Sequence, residues 1–332
     1  MSDPHAIPTR MSKLTRDERI QVLKQLLEGS SVSSTVRLTD ISMPTILKLL
    51  VDVGEVCAET HDRLVRGVKS RRVQADEIWS YVGMKQKNTD EIDRACGKGD
   101  SWTWLAIDAD HKLIISYLVA DRGEESAKAF IGDLAARLAN RVQLTTDGLK
   151  VYLDAVENAF GCDVDYAQLV KQYAVVIEGQ KRYSPAECCG ATKTTVTGNP
   201  NRKDINTSFV ERVNLTVRMQ DRRFTRLTNG FSKKLENHIA SVHLHMFAYN
   251  FVRMHKTLRM TPAMAAGLTD RLWGVEEIVA LLEAKEEKEA QAARVAKPAK
   301  PVIVRSSREY KTIPLTPIKV NGRRVGDLSD QS

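Results

Sequence analysis

The sequence has few cysteines and no long run of apolar residues. Its five cysteines include no C-x-x-C pair, which argues against a disulfide framework and against a cysteine zinc site. The longest clean apolar stretch, residues 113–120, already contains a serine and a tyrosine, whereas a membrane-spanning helix needs about 20 apolar residues. Residues 1–19 are polar and have no apolar core like that of a signal peptide. We therefore expect a cytoplasmic protein with no membrane partner.

The chain has 332 residues and a net charge of +8, and a length prior of about 100–200 residues per domain predicts two or three domains. The charge is unevenly distributed. Residues 73–177 carry 11 basic and 17 acidic residues, a net charge of −6, whereas residues 178–234 carry 12 and 5, a net charge of +7. Such a basic block is typical of contact with a polyanion, although a solvated basic face would have the same composition.

Apolar spacing in the N-terminal part predicts three helical segments. They cover residues 14–28, residues 32–38 and a longer stretch after Ser42, with Pro44 in its first turn. This order is typical of a helix-turn-helix, in which the start of the last helix, including Thr45 and Lys48, would enter the major groove of DNA. A plain helical hairpin is the alternative. The basic residues between positions 63 and 72 favour DNA binding.

From residue 73 the sequence changes to short runs rich in β-branched and aromatic residues. Strands are predicted over residues 73–82, 101–107, 113–119, 142–146 and 164–169, with helices over 124–140 and 150–160. Three strands, helix, strand, helix and strand is the order of a ribonuclease-H-like α/β domain with a mixed sheet flanked by helices. Residues 180–204 lack periodicity and are predicted to form a loop, followed by helices from residue 208 and over about residues 232–255.

These patterns divide the chain into three predicted parts. Residues 1–72 would form an all-α helix-turn-helix DNA-binding domain with a basic linker, and residues 73–262 the ribonuclease-H-like catalytic domain. Residues 263–332 begin as a helix and end as a charged segment with few large apolar side chains, which predicts a flexible tail.

Three acidic residues are well placed to bind metal. Asp76 lies in the first predicted strand, Asp147 follows the fourth, and Glu211 lies in the first turn of the helix after the loop. The first and fourth strands would be neighbours in this strand order. At about 100° per residue, Arg218 and Arg222 would share one helix face with Glu211. Oxygen-only ligands favour Mg²⁺ or Mn²⁺, and two such ions can promote phosphodiester cleavage.

Each acid also has a purely structural interpretation. An aspartate at a strand end often caps a turn, and Asp147 is followed by a glycine, as in many turns. Other acidic residues also lie within or at the ends of predicted strands and are rival candidates; they are Glu77, Asp108, Asp110 and Asp121.

At these residues the chain resembles the DDE transposases, most closely those of the bacterial insertion sequence one family. The matching segments are residues 75–83, residues 146–148 with Tyr152, and residues 210–215 running on to Arg218. The similarity extends over roughly residues 73–258. The family often has a histidine two residues after the glutamate, where this chain has Val213.

The resemblance implies that Asp76, Asp147 and Glu211 form a catalytic triad that holds two Mg²⁺ or Mn²⁺ ions. It implies a transposase, acting at the bacterial nucleoid as a homodimer or larger assembly, that cleaves double-stranded DNA at terminal inverted repeats and transfers the 3′-OH ends to target DNA. Two alternatives remain open: a ribonuclease-H-fold nuclease without strand transfer, and a catalytically inactive DNA-binding regulator. The residues expected to contact DNA are Thr45, Lys48, Arg218, Arg222 and Arg223.

Overall fold

A computed structural model describes residues 13–173, 188–225 and 228–296. The described residues up to Glu287 form one compact unit, and those after it continue the last helix. The predicted division of the chain after residues 72 and 262 remains a prediction. The predicted flexible tail lies outside the described residues from residue 297 onward. No helix in the described ranges is both long and apolar enough to cross a membrane.

The N-terminal part contains three helices, α1 (Arg16–Leu27), α2 (Val32–Thr39) and α3 (Met43–Leu64). Thr15 caps α1 through a reciprocal hydrogen-bonding arrangement with Glu18, which satisfies backbone donors of the first turn. Asp40 adopts a left-handed conformation between α2 and α3, and Ser42 with Pro44 begins α3 as the sequence predicts. The predicted helices are therefore confirmed, and they include an eight-residue α2.

The centre of the molecule is a six-stranded mixed sheet in the order β3-β2-β1-β4-β5-β6. The pairs β1–β4 and β4–β5 are parallel and the remaining pairs are antiparallel. The first and fourth strands are thus neighbours, as expected. The arrangement is compatible with the ribonuclease-H-like class. The strands are β1 (Arg72–Val82), β2 (Gly99–Asp108), β3 (Ile114–Ala120), β4 (Val142–Thr146), β5 (Val164–Tyr173) and β6 (Cys188–Thr197).

The sixth strand overturns part of the predicted loop over residues 180–204. Residues 188–197 pair antiparallel with β5 along nearly its whole length, whereas residues 180–187 lie outside the described residues. The side chains of β6 alternate little in burial and are mostly exposed. A strand that is exposed on both faces has no apolar period of two, so the pattern that reveals a half-buried strand is missing.

Helices cover both faces of the sheet. Residues of α5 and α6 pack on one face against Ala75 and Trp104, while α7 and α8 pack on the other against Ile78 and Leu105. The predicted helix over residues 232–255 is shorter than expected and covers only α8. The remaining helices are α4 (Glu91–Ala95), α5 (Glu124–Arg137), α6 (Val151–Phe160), α7 (Ser208–Gln220), α8 (Leu235–Phe251), α9 (Pro262–Ala265) and α10 (Val275–Ala296).

The long helix α3 packs closely on α8 through Gly54. A Cβ atom at this position would lie 2.6 Å from the Cα of Ala240, a separation that no relaxed structure tolerates. The glycine thus allows the two backbones to approach, at the cost that glycine brings to a helix interior.

Replacing this glycine should destabilise the fold. Gly54→Ala should lower the free energy of unfolding by about 1–3 kcal/mol, the usual cost of overpacking. Gly132→Ala is the matched control, since Gly132 also lies in a helix but nothing lies within 4 Å of its added Cβ. That variant should gain roughly 0.5–1 kcal/mol from helix propensity. Urea denaturation of both variants tests the pair, and equal changes would contradict the close contact.

Candidate metal-binding cleft

The candidate site lies where the short strand β4 ends between two longer neighbours. β4 ends at Thr146, and it pairs with β1 only along Arg72–Gln74. β1 continues to Val82 on the far side of this point. The sheet therefore opens beyond the carboxyl end of β4, between the longer strands β1 and β5. Asp76 and Asp147 both lie at this opening.

Three carboxylates meet in the opening. One oxygen from each of Asp76, Glu77 and Asp147 lies within 4.8 Å of the other two. Successive residues of a strand point to opposite faces, and Asp76 contacts Asn214 of α7 while Glu77 contacts Tyr152 of α6 on the other face. The two side chains approach Asp147 from both faces because no backbone fills the gap. Glu77, a rival candidate in the sequence, thus belongs to the cluster.

Glu211 lines the same cleft but stands apart from this three-carboxylate cluster. Its Oε1 accepts hydrogen bonds from Lys171 Nζ on β5 and from the Thr207 hydroxyl at the start of α7. The cleft has a volume of about 720 Å³, and its walls also carry Arg122 and Arg218. The three acids predicted from the sequence therefore line one cavity, with Asp76 and Asp147 in close approach and Glu211 outside that cluster.

Burial and mutual repulsion act on the carboxylates. Burial, followed by the charges of Glu77 and Asp147, raises the pKa of Asp76 to about 7, and Glu211 adds to the shift. Burial also raises the pKa of Glu77, against the hydrogen bond from Tyr152 and the charge of Arg122. A cation bound among these groups would relieve both costs, since it favours the ionised carboxylates.

The donor set fits a hard divalent cation. All the clustered atoms are carboxylate oxygens, the ligands that Mg²⁺ and Mn²⁺ prefer. Asn214 Nδ2 donates to Asp76 Oδ2 at 2.8 Å, while its buried Oδ1 has no hydrogen-bond partner among the described residues. The Oδ1 of Asn214 is thus a further oxygen near the carboxylates that receives no hydrogen bond. Within the described part of the chain, Asp76, Glu77 and Asp147 are the residues best placed to hold a metal ion.

Asp147 also has the structural role that its sequence context indicates. Its Oδ1 accepts the backbone N–H of Leu149 at 2.9 Å, which closes the turn after β4. Its Oδ2 lies 3.9 Å from Arg122. The turn fixes one oxygen and leaves the other toward the cleft, so the two interpretations of this residue are compatible.

Arg122 and Lys171 are cleft residues that the sequence alone does not single out. Arg122 Nε donates to Glu77 Oε2 at 3.1 Å, from the segment that follows β3. Lys171 reaches Glu211 from a position forty residues earlier in the chain. No local pattern connects either cation to its acid, because both contacts depend on the order of strands in the sheet.

The other rival acids have structural roles. Asp108 accepts hydrogen bonds from the backbone and ring of His111 in the β2–β3 turn. Asp110 pairs with Arg72, and Asp121 accepts the hydroxyl of Ser126 at the start of α5. All three lie outside the cleft.

The predicted DNA-contacting arginines separate in the structure. Arg218 lines the cleft, but α7 ends at Gln220, so Arg222 lies in a short 3₁₀ turn rather than on the predicted helix face. The side chain of Arg223 is 8% exposed, and its guanidinium donates to Ser232 and Ser241. These two contacts lie inside the fold, and the DNA contact of Arg223 stays a prediction.

The two predicted residues of α3 lie far from the carboxylates in sequence and do not line the cleft. The Thr45 hydroxyl bonds to Ser42 at the start of the helix. Lys48 forms an i, i+4 ion pair with Asp52 at 2.8 Å, and its side chain is 77% exposed. The start of α3 is therefore accessible.

No protein-family description and no curated protein matches the sequence. Among solved structures, the chain is similar to a piggyBac transposase in a synaptic complex with hairpin DNA, with a TM-score of 0.37 and 8% sequence identity. The match covers 87% of this chain and 75% of that chain.

The raised pKa of Asp76 predicts a pH-dependent stability in the metal-free protein. A carboxyl whose folded pKa lies above its ordinary value of 3.8 stabilises the fold below that value, and the contribution is lost as pH rises through about 7. Asp76→Asn keeps an acceptor for Asn214 and carries no ionisable group at this position. Above pH 7 its free energy of unfolding should therefore exceed that of the wild type by roughly 1–3 kcal/mol. Urea denaturation in chelator at several pH values measures it. Parallel pH profiles for Asp76→Asn and wild type would contradict the assignment.

A divalent ion should stabilise the protein through these carboxylates. At a free Mn²⁺ or Mg²⁺ concentration about 100 times the dissociation constant, the gain in unfolding free energy should be about 2.7 kcal/mol. Asp147→Asn should lose most of it, since the amide keeps the turn acceptor but not the charge. Glu157→Gln, an exposed position on α6, is the control. Thermal unfolding with and without metal measures the stabilisation. An equal rise in stability for the wild type, Asp147→Asn and Glu157→Gln would exclude this cluster as the metal site.

Proposed function

We propose that this protein is a metal-dependent DNA transposase of the DDE type, with Asp76, Asp147 and Glu211 as its catalytic carboxylates. The observation that carries the proposal is that these three acids line one cleft, which also contains Arg122, Lys171 and Arg218. Acids that bind divalent ions beside cations that bind phosphate are the two requirements of phosphodiester chemistry. Glu77 extends the proposed acidic set.

The catalytic part of the fold is, in this proposal, ribonuclease-H-like. Three antiparallel strands are followed by two parallel ones, in the spatial order β3-β2-β1-β4-β5. This order places Asp76, in the middle of β1, beside the carboxyl end of β4. The division into residues 1–72, 73–262 and 263–332 is part of the same proposal.

The chain's own residues would position the DNA. Two Mg²⁺ or Mn²⁺ ions, when bound, supply activation of the attacking hydroxyl and stabilisation of the leaving oxygen. Lys171 lies beside Glu211, and Arg122 bridges Glu77 toward Asp147, so cations border the acids on two sides. These cations would hold phosphate oxygens in line with the carboxylates.

The N-terminal helices would recognise the ends of the element. The exposed start of α3, with Thr45 and Lys48, follows α2 through a tight turn at Asp40, which is the layout of a helix-turn-helix. Two DNA ends must be joined, so the proposed acting form is a homodimer or larger assembly on double-stranded DNA. Arg218 and Arg222 are the proposed backbone contacts near the cleft.

The function is tested with a miniature element built from the DNA that flanks the coding sequence. With Mg²⁺ or Mn²⁺, wild-type protein should nick the element ends and join pre-cleaved 3′ ends to a target plasmid. Asp76→Ala and Glu211→Gln should lower both rates by about 10²-fold or more, since each loses charge that acts on the transition state. Glu157→Gln serves as the control, and gel-shift binding of all variants should stay unchanged.

The outcomes separate the candidates. Nicking without joining of pre-cleaved ends would favour a ribonuclease-H-fold nuclease. Binding without either reaction in the wild type would favour a DNA-binding regulator. Full activity of Asp76→Ala would exclude this residue from the triad.

A further inference from the structure

Four aromatic side chains lie near one another beside the acidic cleft. We call this group the aromatic strip; it consists of Trp79 and Tyr81 of β1, Trp102 of β2, and Phe231. Trp79 pairs with Trp102 across the two strands. The ring centroids of Trp79 and Tyr81 are 5.7 Å apart, and those of Tyr81 and Phe231 are 4.8 Å apart. The Tyr81 ring is therefore in contact range of both the Trp79 and the Phe231 rings.

The strip lies on the same sheet face as Ala75 and Trp104, on a stretch of β1 and β2 whose aromatic side chains the helices leave partly exposed. Alternation along β1 places Trp79 and Tyr81 on the same face as Glu77, whereas Ser80 on the opposite face bonds to His238 of α8. The four aromatic side chains are only partly buried, and none of them is part of the hydrophobic core clusters. Among the described residues, nothing covers these four rings completely.

Cations border the strip at two places. The guanidinium of Arg122 stacks on the Trp102 ring at 4.6 Å, and Lys85 Nζ lies 5.9 Å from the centroid of Trp79. Arg122 also bonds to Glu77 of the acidic cluster. One residue thus joins the strip to the cleft, and the strip continues the cleft along the surface of β1.

We propose that the aromatic strip binds unpaired bases of a single-stranded DNA segment whose backbone passes the acidic cleft. Every base has a flat π face that can stack on an aromatic ring, while the bases of a duplex are stacked on each other and hidden. Arg122 and Lys85 supply positive charge for the adjoining phosphates. The inference rests on the proposed function, because it assigns the strand beside the cleft to DNA.

The test compares binding of single and double strands in chelator, where no cleavage occurs. The probes are a fluorescein-labelled oligothymidylate of about 15 nucleotides, near the size of one single-strand site, and a duplex of the same length. Trp79→Leu and, separately, Tyr81→Leu should weaken single-strand binding by about 5- to 150-fold, the range for one stacked base. Trp79→Phe keeps a ring and should restore most of the affinity. Duplex binding should be unchanged in all three.

A matched control is Trp273→Leu. Trp273 also has an arginine over its ring, at 5.4 Å, but it packs against Phe247 and Phe251 away from the strip. This variant should bind the single strand as wild type does. Intrinsic tryptophan fluorescence should be quenched by oligothymidylate in wild type and in Trp273→Leu, and much less in Trp79→Leu.

The proposal is overturned if Trp79→Leu and Tyr81→Leu bind the single strand with wild-type affinity. It is also overturned if single-strand and duplex affinities fall together, because a general loss of charge or fold would then explain the change. If single-strand binding depends on the strip but the wild type cleaves no DNA, the proposed transposase function is overturned, while the strip remains the single-strand binding site. If cleavage needs Asp76 but Trp79→Leu and Tyr81→Leu bind single-stranded DNA normally, the proposed function stands and the aromatic strip is excluded as the binding site.

Discussion

The candidate site depends on a difference in strand length within one sheet. β4 ends at Thr146 while its parallel neighbours β1 and β5 continue to Val82 and Tyr173. In a continuous sheet, the backbone of β4 would occupy the space beyond Thr146 and keep residues of opposite faces apart. Because it stops, Asp76 and Glu77 approach Asp147 from the two faces of β1. Adjacent residues of a strand normally point away from each other. At this gap, the carboxylates of Asp76 and Glu77 can both reach Asp147.

Gathered acids repel one another, and the surrounding contacts show how the fold limits this cost. The buried Tyr152 hydroxyl donates to Glu77, and the partly exposed Arg122 forms an ion pair with the same carboxylate. Asp76, in contrast, receives a neutral donor from Asn214. Burial and repulsion therefore act most clearly on Asp76, whose pKa rises to about 7. The strain at this carboxyl is the physical reason to expect a cation there.

Much of the sheet follows from local sequence, and the site follows only in part. The bounds of β4 and the neighbouring positions of β1 and β4 are predictable from short apolar runs and strand order. Glu77 could not be placed by the same logic, because alternation assigns it to the face away from Asp76. Arg222 was expected on the helix face of Glu211 because helical periodicity was carried past Gln220, whereas the buried Asp221 ends α7 and begins a new turn. Asp221 also accepts a hydrogen bond from Ser241 of α8. A helix end that depends on such a tertiary contact cannot be predicted from residue spacing.

The register between β1 and β2 links the acidic cleft to the aromatic strip. Asp76 is opposite Leu105, and Trp79 is opposite Trp102, within one uninterrupted antiparallel ladder. A shift of one residue would exchange the faces of every side chain on β1. It would bury Trp79 under α8 and expose Ile78, at a large loss of apolar burial. The packing of Ile78 against α7 and α8 therefore fixes both the direction of Asp76 into the cleft and the exposure of the aromatic rings. Neither feature can change its face without the other.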